Sequence, residues 1–196
     1  MRDLFIVGAG GFGREAVWTV ERINKAAGDP LWNVIGFADD DPKKATGNFE
    51  GYPMLGSVEK ASHDHPGASV FIAIGDNAIR RRISEQLRGH DFPAIIDPTA
   101  QVSPTTEFHR GTYIAVEAVV SVGTEIGRFT IVNSRAGVGH DSSVGTYVNL
   151  APGVTLSGHT TVGSDVTMGA NSCTAPGATV PDGAVIPCGQ VVQANG

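Results

Sequence analysis

The sequence predicts two consecutive parts, an α/β unit followed by an all-β parallel solenoid, and three observations lead there. The first is the distribution of charge: residues 1–99 hold 25 of the 34 charged side chains, while residues 100–196 hold nine and no lysine. The second is an apolar position that returns every six residues from Val102 onward. The third is a set of glycines, Gly8, Gly10 and Gly13, set between an apolar run and an amphipathic stretch. The change of character falls at "IIDPTAQVSP", which places the parts at 1–97 and 98–196.

In the first part, "DLFIVGAGGFGREAVWTVERINKA" reads as a buried strand, a glycine-rich turn and an amphipathic helix. The GxGxxG spacing suits a tight turn that presents a helix N-terminus to phosphate. A second strand, "WNVIGFADDD", ends in Asp39, Asp40 and Asp41, whose carboxylates can accept hydrogen bonds from a ribose or a base. For Asp41 a solvated turn before Pro42 is the better reading. A third strand, "SVFIAIGDN", ends in Gly75, Asp76 and Asn77 and leads into the basic helix "AIRRRISEQL". Ligands of open α/β sheets collect at such strand ends. A dinucleotide fold needs two mononucleotide halves, whereas this Rossmann-like unit stops after about 95 residues, so a nucleotide or nucleotide-sugar is favoured over a nicotinamide cofactor. The alternative is that the glycines only permit close packing of strand and helix.

In the second part, stepping by six from Val102 reaches Val192, and every position on the way is apolar except Thr174. A helix repeats near 3.6 and a strand near 2, so a strict six fits neither. It fits a parallel β-helix in which each hexapeptide is one side of a triangular coil. Eighteen residues close one coil, and about five coils at roughly 4.8 Å make a prism about 25 Å tall. Residues eighteen apart then stack, which sets Gly158 one coil from His140 and His159 one coil from Asp141. A glycine opposite a histidine leaves a main-chain N–H accessible to a developing oxyanion.

Composition narrows the function classes. A net charge of -6 without a basic stripe argues against nucleic acid as a partner. No apolar run approaches the length of a membrane span, and the N-terminus does not read as a signal peptide, so a cytoplasmic protein is expected. Cys173 and Cys188 form neither a metal knuckle nor a CxxC pair, and neither sits beside a histidine under the eighteen-residue rule, so packing is expected of them rather than nucleophilic catalysis. Zinc would need convergent ligands, and His109, His140 and His159 do not share one column, so no metal is expected. His63 and His65 read as a solvated loop, and His90 and His109 have no informative context.

The segments "GAGGFGRE", "FADDD", "IAIGDNAIRRRI", "GHDSSVGTYVNLAPGVTLSG" and "VTMGANSCTAPGATV" together resemble the sialic acid O-acetyltransferases and nucleotide-activated amino-sugar N-acetyltransferases of bacterial glycan synthesis. The resemblance spans nearly the whole chain and implies a left-handed hand for the β-helix. It implies acetyl-CoA as co-substrate, His140 as the catalytic base and Asp141 as its acidic partner. By the same resemblance the Gly158 amide faces the thioester, while Asn149, Ala170 and Cys188 lie along the CoA arm. Gly10, Gly11 and Phe12 hold the nucleotide-sugar, with Asp39 and Asp40 near its base or ribose and Gly75 and Asn77 at the second strand end. Two features depart from the pattern: many members carry histidine where this chain has Asn149, and "VVQANG" stops short of a tail seen in many relatives. A smooth prism face encloses little, so a neighbouring subunit is expected to supply the missing wall, and the resemblance implies a homotrimer with active sites shared between subunits. The acceptor is expected to be a sugar amine. A sugar hydroxyl, or nucleotide-sugar binding without catalysis, is the alternative.

Overall fold

A computed structural model describes residues 1–44 and 46–194. The chain divides into two compact units, Met1–Ile95 and Ile96–Gly196. The first carries a sheet of five strands, β1 (Arg2–Val7), β2 (Trp32–Ala38), β3 (Asn48–Phe49), β4 (Tyr52–Gly56) and β5 (Ser69–Ile72), in the order β3-β4-β2-β1-β5. Among the described residues it also carries the α-helices α1 (Gly11–Ala27), α2 (Val58–Asp64) and α3 (Asn77–Gln86). Strand β1 is central because Leu4, Phe5, Ile6 and Val7 are apolar on both faces and all four are buried. It pairs in parallel with β2 on one side and β5 on the other, so the chain order reverses beside it. That reversal opens a crevice beyond the carboxyl ends of β1 and β5.

Each glycine of the first turn has a different task. Gly8 sits at φ +106, a conformation other residues rarely adopt. A methyl group on Gly13 would strike the Gly8 carbonyl and come within 3.2 Å of the Phe37 ring, so its absence lets α1 pack closely on the sheet. Gly10 caps α1 with no side-chain hydrogen bond, and the space beside Gly10 and Gly11 is open.

The strands expected around residues 3–8, 32–41 and 69–77 are present. The antiparallel pair β3–β4 and helix α2 were not foreseen. The "SHDHP" stretch, expected as a loop, is the end of α2: His63 lies in its last turn and His65 is its C-cap. Ser57 caps its first turn by accepting from the Lys60 N–H at 3.2 Å.

The second unit is the β-helix. Two-residue strands build three parallel sheets, and every pairing joins residue i to i+18, as in Val120 with Val138 and Val138 with Leu156. One sheet holds 101–102, 119–120, 137–138, 155–156, 173–174 and 191–192; a second runs from 107–108 to 179–180; a third runs from 95–96 to 185–186. The hexad positions form the core, with Ile114, Val120, Ile126, Val132, Val138, Val144, Leu150, Leu156, Val162 and Met168 all buried. Phe108 departs from this column and is 43% exposed, because its strand ends its sheet and no coil closes over it.

The coil corners bend through the left-handed backbone region. Glycine takes that position at Gly111, Gly123, Gly153 and Gly177, but Asp141 (φ 55) and His159 (φ 58) take it with full side chains. Such a non-glycine conformation costs on the order of 1–3 kcal/mol, so it persists only where the surrounding structure enforces it.

Candidate active site

His140 and Asp141 lie on the corner between strands 137–138 and 143–144, and Gly158 and His159 lie on the same corner one coil further. The Asp141 N–H donates to the Val122 carbonyl at 2.9 Å and the His159 N–H donates to the His140 carbonyl at 2.9 Å, so successive corners are tied together. The buried Ser142 hydroxyl donates to the Ser157 carbonyl at 3.2 Å and accepts from the Thr160 N–H at 3.1 Å. These bonds fix the corner on which the imidazole stands.

The His140 ring does not enter the core; its side chain is 54% exposed. Its Nδ1 lies 2.8 Å from Asp141 Oδ2, a contact that selects the tautomer with the proton on Nδ1 and the lone pair on Nε2. That Nε2 faces Gly158, where a methyl group would sit 2.6 Å from it. The Gly158 N–H donates to no atom among the described residues, while its carbonyl accepts from the Gly177 N–H at 3.0 Å. The expected stacking of His140 on Gly158 is therefore present, and the arrangement sets a base and an unengaged donor side by side.

Asp141 titrates below the ordinary carboxylate value: its hydrogen bond with His140 lowers it most, burial opposes that, and the charges of His140 and then His159 lower it further. His159 Nε2 stands 3.9 Å from Asp141 Oδ2, and its ring meets the His140 ring edge-on with centroids 5.0 Å apart. The carboxylate thus has a histidine on either side.

Thr174, the single polar residue of the hexad column, acts on this corner. Its hydroxyl accepts from the Ser157 N–H at 3.0 Å and pairs with the Thr160 hydroxyl at 2.9 Å. Its carbonyl accepts from the Ser157 hydroxyl at 2.6 Å. The turn carrying Gly158 is braced from the interior by the residue that breaks the repeat. That break was visible in the sequence, but its purpose was not.

The remaining residues assigned to the CoA arm lie elsewhere. Ala170 and Cys188 share the corner that follows strands 167–168 and 185–186, and the Gly189 N–H donates to the Ala170 carbonyl at 2.9 Å. Asn149 is half-buried on strand 149–150 of the third sheet. One prism therefore brings His140, Asp141 and Gly158 together but sets Asn149, Ala170 and Cys188 at a different corner and face.

In the N-terminal unit, a cleft of about 390 Å³ lies beyond the ends of β1 and β5, lined by Gly10, Gly11, Phe12, Asp39, Asp40 and Lys44, with Ala73, Ile74 and Arg82 on the far wall. Asp39 accepts the Ala9 and Asp41 N–H groups, each at 2.9 Å, and pairs with Lys44 at 3.3 Å. Burial raises its pKa, but those two backbone donors and the lysine outweigh it, and Asp39 titrates below its ordinary value. Asp40 accepts the Val58 N–H at 2.9 Å. Both carboxylates therefore shape the rim as well as lining it.

Gly75 and Asn77 do not line the cleft. Arg80 holds both: its guanidinium donates to the carbonyls of Ile74 (2.8 Å) and Gly75 (3.0 Å) and to Asn77 Oδ1 (2.8 Å) while itself 1% exposed. The sequence reading placed Arg80 in a basic helix and missed this internal role. It also missed Lys44 and Arg82, the two cations of the cleft.

Residues 3–87 match the family model described as the PglD N-terminal domain. The acetyltransferase domain of PglB from Neisseria gonorrhoeae FA1090 superposes with a TM-score of 0.88 at 30% identity, covering 98% of this chain and 91% of that one. The chain belongs to the nucleotide-sugar acetyltransferases. The same gonococcal domain in complex with acetyl coenzyme A matches with a TM-score of 0.81. PerB from Caulobacter crescentus, in complex with CoA and GDP-perosamine, matches with a TM-score of 0.86 at 26% identity, over 98% of this chain and 89% of PerB. In sequence, GDP-perosamine N-acetyltransferase of Escherichia coli O157:H7 is 29% identical over 157 residues, 79% of this chain and 69% of that protein. No helix among the described residues is long and apolar enough to cross a membrane.

Proposed function

We propose that this acetyltransferase moves the acetyl group of acetyl-CoA onto the amine of a nucleotide-linked amino sugar, with His140 as general base. The observation that carries the reading is the His140 ring, fixed by Asp141 through Nδ1 and presenting Nε2 to Gly158. The sugar nitrogen attacks the thioester carbonyl carbon as Nε2 takes its proton. The Gly158 N–H stabilises the oxyanion, the carbon–sulfur bond breaks, and the proton passes from Nε2 to the departing thiolate. Asp141 supports the transient imidazolium. Such a positioned base contributes about 10² to 10⁴ in rate. Both reactants meet in one complex, and no acyl-enzyme is formed; His159 takes no part in the step.

The N-terminal cleft takes the nucleotide: the α1 terminus beside Gly10 and Gly11, with Lys44 and Arg82, suits a diphosphate. GDP-linked amino sugars, as in the Caulobacter complex, are the first acceptors to try, with UDP- and dTDP-linked amino sugars beside them. CoA lies between neighbouring prisms of a homotrimer, so that Asn149, Ala170 and Cys188 of one chain face His140 of the next. Acetyl-CoA and nucleotide-sugars share the cytoplasm, where this reaction belongs. The test is thiol release from acetyl-CoA with each acceptor: His140→Asn is expected to lower turnover at least about a hundredfold with the fold intact. Near-normal turnover would remove His140 from the mechanism, and release only with a hydroxyl acceptor would make the enzyme an O-acetyltransferase.

A further inference from the structure

The histidines of the β-helix do not share one column, but a carboxylate stands between two of them. His140, Asp141 and His159 each offer a ligand atom, and these atoms lie within 4.8 Å of one another. The His140 Nδ1 to Asp141 Oδ2 separation is 2.8 Å and the His159 Nε2 to Asp141 Oδ2 separation is 3.9 Å. Tetrahedral zinc with bonds of about 2.0–2.2 Å sets neighbouring ligand atoms roughly 3.3–3.5 Å apart, between those two values. The three side chains are 54%, 54% and 66% exposed, which leaves room for them to rotate toward that spacing. The backbone needs no change, because Asp141 and His159 are already pinned by their hydrogen bonds to Val122 and His140.

From this juxtaposition we infer that the corner is a reversible zinc site, with His140 Nδ1, Asp141 and His159 Nε2 as ligands and solvent in the fourth position, and that loading it switches the enzyme off. The ligand set is chemically suited: two imidazoles and a carboxylate match a borderline-soft divalent ion. The switching mechanism follows from imidazole chemistry. Zinc takes the Nδ1 lone pair of the other neutral tautomer, so the ring's one proton, shared with Asp141 in the metal-free site, moves from Nδ1 to Nε2. The atom that should accept the proton of the amine then bears an N–H and has no lone pair. Inhibition therefore rests on the proposed role of His140, whereas binding does not.

The experiment separates the two. Metal-free full-length protein is titrated with zinc chloride against a chromophoric chelator, in parallel with His159→Gln, Asp141→Asn, and His109→Gln and His63→Gln as distant controls. The expected result is one zinc per chain, at least about tenfold weaker binding in the first two variants and none of that loss in the controls. X-ray absorption of the loaded protein should show nitrogen and oxygen ligands without sulfur. In turnover assays zinc should inhibit the wild type, chelator should restore it, and His159→Gln should keep basal activity while losing sensitivity. Stoichiometric binding that survives both His159→Gln and Asp141→Asn, or no binding at about 100 μM zinc, would overturn the site. Binding as expected with no inhibition would leave the site and overturn the switch. Turnover of His140→Asn measured in chelator tests the base independently.

Discussion

The two units place their chemistry in opposite ways. In the β-helix, each coil repeats the one before, and the candidate site is marked by departures from the repeat: Asp141 stands where Gly123 stands one coil before, and Thr174 interrupts an apolar column. In the N-terminal unit nothing repeats, and the cleft is assembled by bonds between distant segments, Ala9 with Asp39 and Asp40 with Val58. A repeat reveals function through its exceptions, whereas an irregular sheet hides it in long-range partners.

The sharpest way to break the comparison is to add one carbon to the prism. Gly158→Ala puts a methyl group 2.6 Å from His140 Nε2 while the φ of residue 158 imposes no glycine requirement. The fold should survive, and turnover should fall at least about a hundredfold as the ring is driven away from the Gly158 N–H. Circular dichroism and thiol release on the same sample read both quantities. Retained activity would show that His140 does not act from its place against residue 158.

A second experiment tests whether the two prism corners belong to one site. His140→Asn and Ala170→Arg should each be nearly inactive alone. If each site takes its base from one chain and its CoA corner from a neighbour, random co-assembly should restore about a quarter of wild-type turnover. No recovery in verified mixed oligomers would place both corners in the service of a single chain or remove Ala170 from the site.

The extent to which each site was legible follows from the same contrast. The pairing of residues i and i+18 was readable because the hexad fixes both strand and corner locally, and with it came His140 opposite Gly158 and His159 beside Asp141. Phe108 was misjudged because periodicity does not say where the column ends. In the cleft, Asp39 and Asp40 were found by their place at a strand end, but Lys44, Arg82 and the burial of Arg80 depend on folding back of segments that no local pattern records. Asn77 was read as a ligand contact from its strand end, and the fold adds a bond that no local pattern records, from Arg80 to its Oδ1.

Arg80 and Thr174 test whether a buried brace shapes each site. Hydrogen bonds from a charged group contribute about 1.5–3 kcal/mol each, so Arg80→Lys, which cannot span all three acceptors, should raise the KM for the nucleotide-sugar about tenfold. The KM for acetyl-CoA and kcat should stay unchanged, a split that a general loss of folded protein would not produce. Thr174→Val keeps the shape and leaves the Ser157 N–H without its acceptor, for an expected loss of about 1–3 kcal/mol in stability. Thermal unfolding measures that loss, and kcat should fall with it because the Gly158 turn loosens.

The smallest effect is expected from acid, and its sign can be worked out from Asp39. Its folded-state pKa lies below the ordinary 3.8, held down by the Asp41 and Ala9 N–H groups and Lys44 against the opposing pull of burial. A carboxyl group whose pKa is depressed by folding stabilises the folded state fully above its unfolded value, and that contribution disappears as pH falls through the folded value. Stability of the N-terminal unit should therefore be insensitive to Asp39 titration at neutral pH and decline only below about pH 4. Asp39→Asn should be less stable than wild type near neutrality, where the charge is engaged, and the difference should narrow as acid protonates the native carboxylate. Unfolding midpoints of the two proteins at stepped pH provide the measurement. A gap that stays constant down to low pH would mean that the bonds to Ala9 and Asp41 depend on the shape of the side chain and not on its charge.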